Sequence, residues 1–308
     1  MLDSLIRAAP LSAWRHLRQS VHDRPRGHPI RLAATFMLQR AARAHSRHLS
    51  TRLTEIRPLD APELSFQAVD SMVMDAVFWF GLRGYEGTVA QVWAALCARS
   101  QSVLEVGGNV GIFTVVGGMQ ARGAYTVVEP IPANAATLRA NLARNGLSRV
   151  ELLEAAVIPG DTEREVSLNV PDEGRAMPVG AHLVDGTVLA ARSSLAHVTV
   201  PGLPMRALAN GRDLIKMDAE GIEAALLLDI RPQLLAQRPT LLIEVLPEAT
   251  QLAALLSALA VEAGYTIHVL PEWGSDTTVA VDAATFTADV PRAHNSKDVV
   301  LSMGPLPQ

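Results

Sequence analysis

The sequence predicts an α/β fold: a doubly wound, mostly parallel, seven-stranded sheet of Rossmann-like architecture, preceded by a helical N-terminal extension. Three observations carry that prediction. Short apolar runs of the kind that form fully buried strands recur from about residue 60 onward. Amphipathic stretches of helical length separate them, and that alternation means parallel strands joined by crossover helices. A glycine cluster follows the first run, "SVLEVGGNVGIFTVV" over 102–116, with the acid Glu105 two residues before the first glycine.

The elements follow in order. Residues 1–57 carry 11 arginines against Asp3, Asp23 and Glu55, and five of the nine histidines (His16, His22, His28, His45 and His48), whereas the rest of the chain is acidic enough to bring the net charge to −4. Apolar residues at helical spacing, interrupted by Pro10, Pro25 and Pro29, predict two or three short helices there. Residues 1–60 therefore read as a basic helical extension and 61–308 as the main domain. The extension reads either as helices packing an apolar side on the main domain or as a surface for anionic membrane or a polyanionic substrate.

In the main domain the strands are "SVLEV", "YTVVE" ending at Glu129, "VELLEAAV", "DLIKMD" ending at Asp218, "TLLIEV", "YTIHVL" and "DVVLS". Of the helices, "IPANAATLRANLARNG" has Leu138 and Leu142 on one face and a stop at Gly146, and "PEATQLAALLSALAVEAG" carries Leu252, Leu255, Leu256 and Leu259 as a stripe ending before Gly264. Residues 171–197 are the least regular stretch, rich in glycine and turn residues.

Composition bounds the class. An apolar content of 49% with 19% charged residues is that of a folded globular chain. No uncharged apolar stretch reaches the length of about 18 residues that a membrane span needs, and arginines break the apolar positions at the start, so we expect a cytoplasmic protein. The single Cys97 excludes an internal disulfide and a zinc–cysteine cluster, and it reads as a buried small hydrophobe.

Ligands of doubly wound sheets bind beyond the carboxyl ends of the strands. Here those ends carry Glu105 and Gly107, Glu129, Asp218 and Glu220, and Glu244, an acidic rim suited to a ligand with positive charge or hydroxyls. A dinucleotide fingerprint needs glycines where Gly107, Asn109 and Ile112 stand, and only the first fits. A Walker loop needs a lysine, and none occurs between 101 and 215. What fits is an acid, a glycine loop and a second acid, Glu129, at the end of the next strand. This is the arrangement for S-adenosylmethionine: bare backbone passes under the methionine part, Glu105 lies near its cationic groups, and Glu129 accepts from both ribose hydroxyls.

The segments "YEGTVAQVWAAL", "VLEVGGNVGIFT", "VVEPIPANAATLRANLARNGL", "LLEAAV", "DLIKMDAEGIEAALL" and "RPTLLIEV" resemble, in order, the motifs of FkbM-type S-adenosylmethionine-dependent methyltransferases, over roughly 70–302. The most specific elements are Lys216 to Gly221 and Asn109. The resemblance implies a class I methyltransferase fold with the last of seven strands antiparallel, O-methylation of a hydroxyl on a sugar, glycan or secondary metabolite, and cofactor contacts from Glu86, Glu105, Gly107, Asn109, Gly111, Glu129, Pro130 and Ala156. For Glu86, a helix-capping role reads the same. The chain departs from the family in having Glu105, Gly107 and Gly108 where Asp and Gly-Ala are usual, and Met205, Arg206 and Ala207 where a Thr-Leu-Asp run is common.

Methyl transfer is an in-line displacement that must also remove the nucleophile's proton. Asp218 and Glu220 stand at the place for that help, either as a general base or, with Glu244, as holders of a divalent cation such as Mg²⁺. Lys216 points to the same face as Asp218 and reads as a partner to one of these acids. Glu223 reads as a favourable charge at a helix start. His182, His197 and His294 are alternative bases, and His268, inside an apolar strand, reads as structural. The acidic main domain, poor in aromatics, disfavours nucleic acid as a partner. Two other readings stay open: a catalytically silent cofactor-binding scaffold, and a nicotinamide-dependent oxidoreductase, against which Asn109 and Ile112 argue.

Overall fold

A computed structural model describes residues 53–86, 88–171, 177, 182–183, 195–271 and 277–307, together with His16 and Arg18. The helices expected for the leading segment lie outside these residues. The chain divides into two compact units, one reaching Glu86 and including Met177, the other formed by the remainder.

In the first unit β1 (Glu55–Ile56) pairs antiparallel with β2 (Phe66–Gln67), and α1 (Met72–Phe80) and α2 (Leu82–Glu86) follow. The Asp60 carboxylate accepts from the backbone N–H groups of Leu82 and Arg83, both at 2.8 Å, and so satisfies donors that the first turn of α2 leaves unpaired.

The second unit begins with α3 (Val89–Cys97), β3 (Ser102–Val106), α4 (Ile112–Gln120), β4 (Ala124–Val128), α5 (Pro132–Arg144) and β5 (Val150–Leu153). Next come β6 (Ala156–Ile158), β7 (Arg164–Pro171), β8 (His182–Leu183), β9 (Leu195–Pro204) and α6 (Met205–Ala209). The chain closes with β10 (Leu214–Met217), α7 (Glu223–Asp229), α8 (Arg231–Gln237), β11 (Thr240–Glu244), α9 (Thr250–Ala263), β12 (Thr266–Val269), β13 (Val279–Val281), α10 (Asp289–Ala293) and β14 (Asp298–Ser302). Helices α5 and α9 stop where the sequence places them, with Gly146 and Gly264 both at positive φ.

The main sheet runs β13-β12-β14-β11-β10-β3-β4-β5. Pairs from β11 through β5 are parallel, and β14 is antiparallel to both β11 and β12, so the seven expected strands are present with the last one reversed. An eighth, β13, adds an antiparallel edge of three residues that the sequence reading did not anticipate. One face of the sheet is held by a continuous apolar core in which Leu104, Ile215 and Ile243 meet Leu226, Leu252 and Leu256. On helix α4, Gly117 lets Trp93 of α3 approach closely: a Cβ there would lie 2.4 Å from the indole nitrogen, which donates to the Phe113 carbonyl at 3.0 Å.

One expectation is corrected. "VELLEAAV" is not one strand: it breaks at Glu154–Ala155, β5 ending the main sheet and β6 joining a separate four-stranded sheet of order β6-β9-β7-β8. Glu151 inside β5 and Glu154 at the break are both glutamates, so the residue type does not distinguish a strand position from the break. The ends of the irregular stretch 171–197 belong to this second sheet through β7 and β9, and its middle lies mostly outside the described residues. Along β7 burial alternates, with Leu168 and Val170 buried and Ser167 exposed, as expected of a sheet with one covered face.

Candidate functional site

The strand order places the site. From β3 the chain builds outward through β4 and β5, then returns to β10 on the other side of β3, so the crevice between the ends of β3 and β10 is the switch point of the sheet. A cavity of about 710 Å³, with open solvent included, lies there.

Its floor is main chain. Gly107 has φ 85°, and a Cβ on it would lie 2.0 Å from the Asp218 carbonyl oxygen, so only glycine lets the end of β3 pass this close to the end of β10. The N–H groups of Gly107 and Gly108 both donate to the Val128 carbonyl, at 3.0 and 3.2 Å, which ties the loop to β4. Asn109 adopts φ 48°, its side-chain oxygen accepting from the Val110 N–H at 2.7 Å, a local bond that stabilises left-handed asparagine.

Glu129 closes the loop from the next strand. One carboxylate oxygen accepts from the Asn109 N–H at 2.7 Å and the other from the Ile131 N–H at 2.9 Å. The Asn134 side chain is a third hydrogen-bond partner of this carboxylate, whose remaining acceptor capacity faces the crevice. The side chain is 4% exposed. Burial pushes its carboxyl up to about 7, against the pull of the two backbone donors.

Glu105 is held differently. It is fully buried one rung below the strand end, in register with Lys216 of β10, and accepts from the Tyr125 hydroxyl at 2.6 Å. Burial lifts its carboxyl to about 7, with Lys216 opposing. Lys216 is itself 2% exposed. Its ammonium lies 3.2 Å from Asp218 Oδ2 and 4.7 Å from the centre of the Phe113 ring.

Beyond β10 and β11 the carboxylates gather. Burial raises the Asp218 carboxyl, but Lys216 and Lys297 outweigh it and hold the group below the ordinary carboxylate value. Burial, with Asp218 and Glu244 beside it, pushes Glu220 up to about 8. Burial and Asp218 push Glu244 up to about 7, although Lys297 bonds to it at 2.5 Å. Glu223 accepts from the Ala219 and Gly221 N–H groups, at 2.8 and 3.0 Å, so it caps the turn that opens α7.

Of the residues read from the sequence, the crevice brings together Gly107, Asn109, Glu129, Pro130, Ala156, Asp218 and Glu220 on its walls. Glu105 and Gly111 stand behind it: Glu105 under the loop, and Gly111 at the start of α4, close to Leu138. Glu244 lines a neighbouring cavity, about 860 Å³ with open solvent included, together with Glu223, Glu248, Thr250 and Gln251. Glu86 is buried and belongs to the first unit. His197 is exposed on β9, while His268 is buried in β12 with burial lowering its pKa, so it reads as structural in the fold as in the sequence. The Cys97 thiol is buried and burial pushes it far above its ordinary value, which leaves it inert. Among the described residues no group of three or more His, Cys, Asp and Glu could hold a metal ion, and no helix is long and apolar enough to cross a membrane.

Sequence reasoning missed Lys297 and Leu168. Lys297 reaches the site because β14 runs antiparallel beside β11, with Glu244 opposite Asp298. A signal for it exists: the chain has only two lysines, Lys216 and Lys297, and both bond to carboxylates of this site. Leu168 enters the crevice wall from the second sheet.

The profile of the methyltransferase FkbM domain matches residues 105–267. The chain belongs to this family. That span runs from Glu105 to β12 and takes in both acidic strand ends, the second sheet and the Asp218 cluster. Among solved structures, an FkbM methyltransferase from Methylobacillus flagellatus KT is similar, with 14% identity over 94% of this chain and 76% of that one, at a TM-score of 0.42. A precorrin-6y C5,15-methyltransferase from Geobacter metallireducens GS-15 has 12% identity over 69% and 85%, at 0.34. A candidate O-methyltransferase from Klebsiella pneumoniae has 18% identity over 51% of this chain at 0.30, and this chain spans 55% of its length. A comparison with curated protein sequences found no match.

Proposed function

We propose that this FkbM-family chain is an S-adenosylmethionine-dependent O-methyltransferase acting on a hydroxyl of a sugar, glycan or secondary metabolite. The observation that carries the reading is Glu129, a buried carboxylate on the crevice wall at the end of β4, fixed by two backbone donors and bonded by the Asn134 side chain, whose remaining acceptor capacity suits ribose hydroxyls. The cradle fits the cofactor on two further counts. Gly107 leaves open the space that a Cβ would fill beside Asp218, and the ionised Asp218 favours a cation in the crevice. When bound, S-adenosylmethionine supplies a methyl group on a positively charged sulfur.

The chain's own residues then divide the work. Asp218, held below the ordinary carboxylate range, keeps its charge and is a weak proton acceptor. Glu244, near 7, is poised to take the proton that a hydroxyl releases at neutral pH, and Lys297 orients it at 2.5 Å. Glu220, near 8, is mainly protonated at neutral pH and donates a hydrogen bond. The neighbouring cavity that Glu244 lines offers Glu248, Thr250 and Gln251, hydrogen-bonding groups that suit a polyhydroxylated acceptor.

The test has two arms. Calorimetric titration with S-adenosylhomocysteine and with NAD is expected to give heat with the first alone. Mass spectrometry of hydroxylated metabolites and glycans incubated with the protein and S-adenosylmethionine is expected to show the gain of one methyl group. Binding of NAD and not of S-adenosylhomocysteine would overturn the reading.

A further inference from the structure

The crevice changes character along its length. On one side of Glu129 its walls are polar: Asn109, Asp218 and Glu220. On the other side they are mainly apolar, with Ile131 from the start of α5, Ala155 and Ala156 at the fork after β5, and Leu168 from β7, and Asn134 of α5 adds a polar, uncharged side chain there. A ligand whose ribose sits at Glu129 therefore finds charge toward one end and a slot without charges toward the other. A flat, weakly polar base belongs in the second.

That apolar end does not belong to the main sheet alone. Ile131, Ala156, Leu168, Val170 and Val200 form a core of their own, with Val166 and Val198 packed against it. Strand β7 places Val166, Leu168 and Val170 on one face by its period of two, and β9 sets Val200 opposite Val166 and Val198 opposite Leu168. Ala156 takes part twice: it lines the crevice, and it is the first rung of the parallel pairing between β6 and β9, opposite Gly202. The wall of the crevice and the covered face of the second sheet are thus one apolar surface, and within that core Ile131, Ala156 and Leu168 also line the crevice.

We propose that the second sheet is part of the cofactor site: through Leu168, its covered face forms the wall against which the adenine base packs. The inference rests on the cofactor reading above. It gives the sheet inserted between β5 and β10 a binding role toward the donor, and it makes Leu168, which comes from that insertion, a binding residue.

Calorimetry tests it on the full chain. Leu168→Ala is expected to weaken S-adenosylhomocysteine about ten-fold, the scale of lost apolar contact in a binding pocket, and to weaken adenosine by the same factor, because the lost contact is to the base. S-Ribosylhomocysteine, which lacks the base, is expected to bind the variant and the wild type alike. Val200→Ala, in the same core but off the crevice wall, is the control for a loosened sheet and is expected to bind S-adenosylhomocysteine as the wild type does. Equal losses in the two variants, or an unchanged Leu168→Ala, overturn the proposal while leaving the cofactor reading intact. A wild type that binds no S-adenosylhomocysteine overturns both. Should Leu168→Ala lack a cooperative melt, photolabelling of the wild type with 8-azidoadenosine decides: adducts on the β7 peptide support the wall, and adducts confined to other peptides refute it.

Discussion

If Glu129 grips the ribose as a carboxylate, cofactor affinity must depend on pH. Its carboxyl sits near 7 because burial favours the neutral form more than the Asn109 and Ile131 N–H donors favour the charged one. Around a pKa of about 7 the ionised fraction rises from about 0.1 at pH 6 to about 0.9 at pH 8. A diol donating two hydrogen bonds prefers the ionised form, so the dissociation constant of S-adenosylhomocysteine is expected to fall by up to about ten-fold across that interval, about 1.4 kcal/mol. Calorimetry at half-unit steps of pH measures it. Glu220 and Glu244 titrate nearby, so the deciding comparison is Glu129→Gln, which keeps the shape, removes the titration and leaves one backbone N–H facing an amide NH₂. That variant is expected to bind about ten-fold more weakly at pH 8, and its affinity should show none of the Glu129 slope. A wild-type affinity flat from pH 6 to 8, or a slope that survives in Glu129→Gln, would falsify the argument.

Three further outcomes are expected. Glu105 is raised from 4.5 to about 7 in the folded state, so the native protein binds more protons between those values and loses stability as pH rises through them, by about 3 kcal/mol above pH 7. Urea midpoints should show Glu105→Gln gaining on the wild type at pH 8 and not below pH 4.5, whereas the same difference at both would contradict it. Gly107→Ala adds a Cβ 2.0 Å from the Asp218 carbonyl at a positive φ and is expected to cost more than about 2 kcal/mol and cofactor binding. Gly108→Ala, whose Cβ meets side chains (Leu138, Val127 and Thr114) and no backbone atom, should cost less in the same thermal melts, and equal losses would count against the geometry. Lys297→Met removes the cation that holds Glu244 down and should shift the acid limb of the methyl-transfer profile to higher pH, with Lys297→Arg restoring it. A limb that stays put would take Glu244 out of the proton-accepting role.

What the sequence reveals here is what local spacing encodes. The glycine loop, the acids at the ends of β4 and β10, and the stops of α5 and α9 depend on neighbours within a few residues, and each stands where the pattern puts it. Glu105 shows the limit of that reasoning. A strand alternates its side chains, and the residue one rung before the end lies under the loop with Tyr125 and Lys216, away from the crevice that Val106 and Gly107 face. Lys297 and Leu168 lay further out of reach, because antiparallel pairing across β11 and β14 and the fork from β5 to β6 bring them in from distant sequence. In "VELLEAAV" Glu151 stands within β5 and Glu154 at the break, so a glutamate by itself does not mark where the run changes sheets.

Glu220 holds φ 53° at the carboxyl end of β10, a left-handed backbone that a residue with a Cβ adopts only under constraint. Its neighbour Gly221, at φ 101°, shows what this turn accepts without penalty. Glycine at 220 would relax the turn and remove an acid crowded by Asp218 and Glu244, so robustness of the folded chain and possession of this acidic side chain pull the position in opposite directions. On the function proposed above, the substitution that would relax this turn is also one that would strip an acidic side chain from the crevice.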